Sequence, residues 1–382
     1  MKILFVTRGW PSKANPMAGN YEAIQAKALA KRGVDVTVIN MKTRSLLHIF
    51  KKEKVKAFDE DGVHVVQVEK GVLLLPNINL PYKWQACICE LAFKRFFESY
   101  AKDHSFDVIH IHSSYVAYRT VFLKKIFNIP LVITEHWSAL NTYNISNSVK
   151  EQARISYKWA DKVICVSRTL SESLMKNFNQ KSVVIHNMVS ETFFKRSPQK
   201  GNDGKIKFVG VGSLIPGKAF DILIKGFSGM ADNSNSELRI IGDGAEREQL
   251  QCLIENCHLQ EKVFLVGLKK PEEVAELIES SDCFALTSKA ETFGIVYIEA
   301  MAKGKPVIAT ICGGPENFVD ETNGILIPVD DVKATTKALE EMQERCRRFD
   351  SEKIKKNCYD NFSEESIARK IIALYKNLLK EE

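Results

Sequence analysis

Residues 288–306 read SKAETFGIVYIEAMAKGKP. The apolar run Cys283 to Leu286 leads into this stretch and reads as a strand buried on both faces. Glu291 and Glu299 follow, with Phe293 and Gly294 between them. From Gly294 the apolar spacing becomes helical: Ile295, Ile298 and Ala302 share a face, and Gly304 and Pro306 are the stop signal. Glu291 therefore falls in the loop before the helix, and Glu299 a turn or so inside it. A helix N-terminus behind a parallel strand offers unpaired N–H groups and a positive dipole end, which suit phosphate. Carboxylates are poor phosphate ligands but good acceptors for sugar hydroxyls. Together they suggest a nucleotide-sugar, with the diphosphate on the amides, one glutamate on the transferred sugar and the other on the ribose. Taken alone, the stretch reads equally as an ordinary strand, loop and helix with solvated glutamates.

Outward from it the same alternation repeats. Short apolar runs at 206–210, 238–242, 263–266, 307–310 and 325–327 have helical patterns between them, and with 283–286 they predict a doubly wound parallel sheet. The loop after the first reads GVGSLIPGK, 210–218. A dinucleotide fingerprint fails because Ile215 occupies the third glycine position, and no Gly-Lys-Ser/Thr completes a Walker loop. What remains is a flexible loop with Gly212, Ser213 and one lysine, Lys218, before a helix, which suits a diphosphate. Gly242-Asp243-Gly244 closes the next strand, as a plain turn or a ligand contact. TICGGPE, 310–316, places a Gly-Gly loop at another strand end, a second candidate cradle for phosphate or sugar.

The stretch 195–205, KRSPQKGNDGK, is polar with Pro and two Gly, and is the predicted domain boundary. Before it lies a second α/β pattern. A strand at 2–7 is followed by a loop carrying Ala18-Gly19, a helix from about Tyr21 to Lys31 with Gly33 as its cap, and a strand at 34–40. Strands at 108–112, 130–134, 162–166 and 183–185 each end in polar residues, at the sheet edge where open α/β folds bind ligands. His136 is the best placed of these, with Glu135 before it and a Ser/Asn-rich loop after it, although a lone strand-end histidine is as often structural. Asp59-Glu60-Asp61 has the look of a metal-binding DxD, but Asp61-Gly62 reads as a hairpin turn. The segment 43–58 is basic with interleaved Leu and Ile, suited either to an anionic bilayer or to a solvated surface. A helix at 83–102 carries more aromatic residues than a core alone would use, leaving a membrane-facing or acceptor-facing surface open. Helical patterns at 331–348 and 363–379 end the chain.

A length of 382 residues favours two domains: 1–195, 196–361, and a C-terminal helical segment 362–382 packing back on the first. A net charge of +7 fits an anionic small ligand or membrane surface, and is too scattered for nucleic acid. Nine cysteines without metal-ligand spacing read as buried free thiols in a reducing compartment. The start carries no signal-peptide pattern and no run reaches the ~20 apolar residues of a membrane span, so the expected location is cytoplasmic, at most peripheral on a membrane.

On these residues the chain resembles the family 4 glycosyltransferases of GT-B fold. The carriers are SKAETFGIVYIEAMAKGKPVIAT at 288–310, GGPE at 313–316, VGSLIPGKAFDILI at 211–224, IGDGAEREQL at 241–250, VFLVG at 263–267 and HNMVSETFF at 186–194. The resemblance implies two Rossmann-like domains facing an interdomain cleft, and sugar transfer with retention, without an obligatory metal or other cofactor. Glu291, His136 and Lys218 would be the catalytic residues. Glu291 would contact the donor sugar, His136 would face the reacting sugar, and Lys218 would neutralise the leaving diphosphate. Gly19, Gly212, Ser213, Gly242, Phe293, Gly294 and Glu299 would complete the donor site, Glu299 on the ribose. The acceptor would be a glycan, or one carried on a polyprenyl diphosphate, in cell-surface polysaccharide synthesis. Ser213 stands where the family often has Arg, and Ala219 where it often has Gly. The first departure keeps a non-catalytic sugar-nucleotide-binding subunit as the alternative; an epimerase of the same fold is a weaker third.

Overall fold

The computed structural model describes residues 1–12, 15, 18–44, 51–72, 80–142, 144–195 and 204–381. It divides into two compact units, Met1–His186 with Ile367–Glu382, and Asn187–Ser366. Among the described residues no helix is long and apolar enough to cross a membrane.

The first unit is built on eight strands: β1 (Lys2–Thr7), β2 (Asp35–Arg44), β3 (Lys54–Glu60), β4 (Val63–Gly71), β5 (Val108–His112), β6 (Leu131–Glu135), β7 (Lys162–Cys165) and β8 (Val183–Val184). Their order is β3-β4-β2-β1-β5-β6-β7-β8. All pairs are parallel except β3 on β4. β5 and β6 are buried at every position, their polar residues His110, His112, Thr134 and Glu135 included, so these side chains must find partners inside the fold. The chain builds from β1 through β2 towards one edge, then returns to lay β5 on the other side of β1. That reversal opens a crevice at the carboxyl ends of β1 and β5.

Asp61 and Gly62 both have positive φ, 49° and 78°, so the acidic triplet ends in a hairpin turn of the primed type. Both ends of the basic segment at 43–58 belong to strands. Its first residues continue β2 to Arg44 and its last form β3, an edge strand whose lysines discourage further pairing. Residues 45–50, where its Leu and Ile fall, lie outside the described residues. The aromatic helix Tyr82–Asp103 buries Cys89, Phe93 and Phe97 and leaves Trp84 and Leu91 65% and 72% exposed.

The second unit carries β9 (Ile206–Val211), β10 (Ser236–Ile241), β11 (Val263–Gly267), β12 (Cys283–Leu286), β13 (Val307–Thr310) and β14 (Gly324–Ile327). They form one parallel sheet in the order β11-β10-β9-β12-β13-β14, with the reversal between β9 and β12. The two segments richest in ligand-like residues, the Lys218 loop after β9 and the Glu291 loop after β12, therefore sit on either side of this switch point.

Two boundaries differ from the sequence expectation. The first unit ends at His186 rather than at 195, because 187–195 is tied into the second unit. Val189 N–H donates to Phe362 at 2.8 Å, Glu191 N–H to the Glu364 carboxylate at 3.1 Å, and Phe194 packs edge-on against Tyr359. Composition marked 195–205 because it is polar; hydrogen bonding decides which body a segment joins. The segment returning to the first unit begins at Ile367 rather than at 362: Phe362 packs on Phe293 and Phe318, while buried Tyr375 hydrogen-bonds His110 on β5. A helix at Ser351–Phe362 went unread because only Ile354, Cys358 and Phe362 of its residues are buried, one per turn in a charged sequence. All nine cysteines are free, but Cys87 and Cys252 are exposed rather than buried.

Candidate active site

In the second unit the Glu291 loop is held from both sides. The Thr287 hydroxyl donates to the Ala219 carbonyl at 2.7 Å, and Lys289 N–H to the Gly217 carbonyl at 2.9 Å, which ties the loop to the segment after β9. The Thr310 hydroxyl donates to the Ser288 carbonyl at 2.5 Å and Glu291 N–H to the Cys312 carbonyl at 3.2 Å, which ties it to the segment after β13. The result brings Lys218 and Glu291 together. Lys218 Nζ lies 2.5 Å from Glu291 Oε1, and the Ser288 hydroxyl donates to the same oxygen at 2.8 Å. The side chains are only 24% and 12% exposed, so the pair is poorly screened by water. Sequence reasoning named both residues but gave them separate tasks; their pairing comes from the adjacency of β9 and β12. It missed Ser288, whose signal was its place in the same stretch.

Phe293 contributes its backbone to the loop and its ring to the core, where it is 1% exposed and packs on Phe318 and Phe362. Gly314 of the Gly-Gly loop lies directly against the Phe293 backbone. Gly294 caps the helix Ile295–Ala302 with no side-chain hydrogen bond, so the first-turn amides have no capping side chain. Glu299 lies inside that helix with no polar partner among the described residues, and burial pushes its carboxyl up to about 7.

The Gly212 and Gly242 turns interlock. Gly212 N–H donates to the Ile241 carbonyl and Leu214 N–H to the Asp243 carbonyl, each at 3.0 Å. Gly242 has φ 143°, and a Cβ there would sit 1.9 Å from the Gly212 carbonyl oxygen. Gly242 thus has a packing task whatever it does for a ligand. Gly242→Ala is expected to destabilise the protein by about 3 kcal/mol or more, from backbone strain and displacement of the Gly212 loop. Denaturant unfolding checks this; a loss below about 1 kcal/mol would mean that the two turns separate freely. Ser213 is exposed, and Ala219 is held left-handed at φ 49°, a conformation costing a non-glycine residue about 1 kcal/mol.

In the first unit, Gly19 opens the helix Asn20–Ala30 from a left-handed conformation and packs against the Gly9 carbonyl. His136 follows β6. Its neighbour Glu135 is fully buried and organises the whole turn, accepting from Ser114 N–H, Tyr157 hydroxyl, His136 N–H and Trp137 N–H at 3.0–3.2 Å. His136 Nε2 is buried with no partner among the described residues, and the ring lies 5.7 Å from that of His112. His112 is itself held neutral by burial, its pKa far below the ordinary value. A buried imidazole nitrogen without a partner is uncommon in a folded protein and marks His136 as a candidate. Glu135 was noticed in the sequence only as a neighbour; its organising role needed the fold.

Two family models now divide the chain between them. Glycosyltransferase Family 4 matches residues 19–193, and Glycosyl transferases group 1 matches residues 190–359. The chain belongs to the family 4 glycosyltransferases. All the family-matched candidates, from Gly19 to Glu299, fall inside the matched residues. This family member is 32% identical over 227 residues to an uncharacterized glycosyltransferase of Methanocaldococcus jannaschii, covering 58% of this chain and 60% of that protein, less than two thirds of its length. It is 26% identical over 310 residues to the N-acetyl-alpha-D-glucosaminyl L-malate synthase of Bacillus anthracis, covering 77% of this chain and 80% of that one. Among solved structures it is similar to Anabaena Alr3699/HepE in complex with UDP, with a TM-score of 0.75 at 20% identity, covering 99% of this chain and 100% of that one. At that identity the likeness shows the fold, which is GT-B.

Proposed function

We propose that the chain is a retaining glycosyltransferase that takes a sugar from a uridine diphosphate donor without a metal ion. The observation that carries this reading is the Lys218–Glu291 pair at the switch point of the second sheet. It sets a cation and a hydroxyl acceptor side by side at the uncapped start of the helix Ile295–Ala302. The solved neighbour with bound UDP supports the choice of base. Lys218 would exchange part of its contact with Glu291 for the diphosphate as the bond to the anomeric carbon breaks. Glu291 would then hold a sugar hydroxyl, and His136 would face the reacting sugar. The acceptor in this reading is a glycan, free or lipid-linked, of the cell envelope.

A thermal-shift panel of sugar nucleotides tests it, since a ligand of the native state raises stability with the logarithm of saturation. A uridine diphosphate sugar should stand out, and transfer should survive EDTA and keep the anomeric configuration. No stabilisation by any member would sink the reading. Docking on an anionic membrane through the exposed Trp84 and Leu91 belongs to the same proposal; failure to float with anionic vesicles at low salt removes it. The alternative of a non-catalytic sugar-nucleotide-binding subunit rests on Ser213, and donor hydrolysis by the isolated chain rejects it.

The Glu299 carboxyl gives a pH signature. It is raised to about 7 in the folded state, so it is protonated below that value and ionised above it. A ribose hydroxyl prefers the ionised acceptor. Donor affinity should therefore tighten several-fold between about pH 6 and pH 8, and Glu299→Gln should flatten the profile in calorimetry. An unchanged profile in the variant would remove Glu299 from the ribose. The same shift lowers stability as pH rises from the unfolded value near 4.5 through 7, because the native state is the one that holds the proton.

A further inference from the structure

A cavity of about 180 Å³ lies in the first unit at the carboxyl ends of β1 and β2. Met41 and Phe93 give it apolar walls, and Arg8, Arg119 and Tyr115 supply its polar ones. No carboxylate lines it among the described residues. Burial pushes the Cys89 thiol at its wall up to about 11, so that group adds no negative charge.

Neither cation is strongly paired. Arg8 reaches the Glu22 carboxylate only at 3.8 Å. Arg119 donates to the Gln85 side-chain oxygen at 3.3 Å and stacks on Tyr118, while its Nε–H is buried with no acceptor among the described residues. A charged donor left buried without an acceptor is costly, and the fault is corrected when an anion binds. Two guanidiniums around one small cavity match a carboxylate or phosphate. Within the first unit the cavity also neighbours the turn that carries His136, because Tyr115 packs edge-on against Trp137, the residue after it, with ring centres 5.5 Å apart.

We propose that this cavity is the acceptor subsite and that Arg119 and Arg8 select an acceptor bearing a phosphate or carboxylate beside a small apolar surface. The proposal rests on the transferase reading for the word acceptor, but its test does not. Inorganic phosphate is titrated calorimetrically into the full chain at constant ionic strength set by chloride. Saturable binding is expected in the wild type and in Lys218→Ala, and at least tenfold weaker binding in Arg119→Gln and in Arg8→Gln. Arg8 is the more exposed, so Arg8→Gln decides if Arg119→Gln proves misfolded. Competition by glycerol phosphate alone would identify a soluble ester, and competition by vesicles containing phosphatidic acid a lipid headgroup. No phosphate binding, equal binding in both arginine variants, or loss confined to Lys218→Ala would overturn the proposal. Donor turnover by the wild type is measured separately: its absence removes the transferase reading and leaves the anion result standing.

Discussion

Glu291→Gln is expected to lower kcat by roughly a hundred- to a thousandfold while the protein still folds. The carboxylate is the shared acceptor of Lys218 and Ser288 at the end of the switch-point crevice. Glutamine keeps the shape and one acceptor oxygen but not the charge. It would lose the charge-assisted bond to Lys218, a cost of about 1–3 kcal/mol that the rest of the fold should tolerate. The loop itself is fixed by backbone bonds to Gly217 and Cys312, which the substitution leaves in place. Initial rates at saturating donor and acceptor, with unfolding curves alongside, check both parts. A variant keeping more than about a tenth of wild-type kcat would place the transition-state contact elsewhere.

Lys218→Ala should weaken donor affinity by roughly tenfold to a hundredfold. Its expected partner is the diphosphate, so the loss should appear with uridine diphosphate and its sugar esters but not with uridine. A second effect accompanies it. Removing the lysine takes one charged partner from the poorly exposed Glu291 carboxylate, which destabilises the loop. Calorimetry with uridine, uridine diphosphate and the sugar nucleotide separates these contributions. Equal losses for uridine and the diphosphate would mean that the substitution deforms the site instead of removing a phosphate contact.

Much of the second unit was legible from the chain alone. The strand Cys283–Leu286 and the helix from Ile295 emerged at their predicted positions, because a parallel strand covered on both faces must be apolar throughout and the helix after it must repeat with a period near 3.6. The hairpin at Asp61-Gly62 was legible for a similar reason, since few residues accept two consecutive positive φ values. Where local signals were weak, the reading failed. β3 has mostly exposed side chains and so no burial pattern to read, and the helix Ser351–Phe362 presents one buried residue per turn.

The site divides along the same line. Residue types and spacing within one stretch were enough to nominate Glu291, Glu299, Phe293 and Gly294 as candidates, because one strand, one loop and one helix start position all four. Which groups touch was decided by the order of strands. β9 lies beside β12 although 71 residues separate the end of one from the start of the other, 283 − 211 − 1, and this adjacency joins Lys218 to Glu291. The same holds in the first unit. Tyr375 reaches His110 across most of the chain, Glu135 gathers donors from three segments, and two arginines far apart in sequence line one cavity. The sequence by itself determined the period of burial, and with it the two α/β sheets and the character of the loops at their carboxyl ends. Tertiary structure alone decided the partners of each charge, since Coulomb and hydrogen-bond energies depend on separation in space, which sheet order sets and local pattern does not encode.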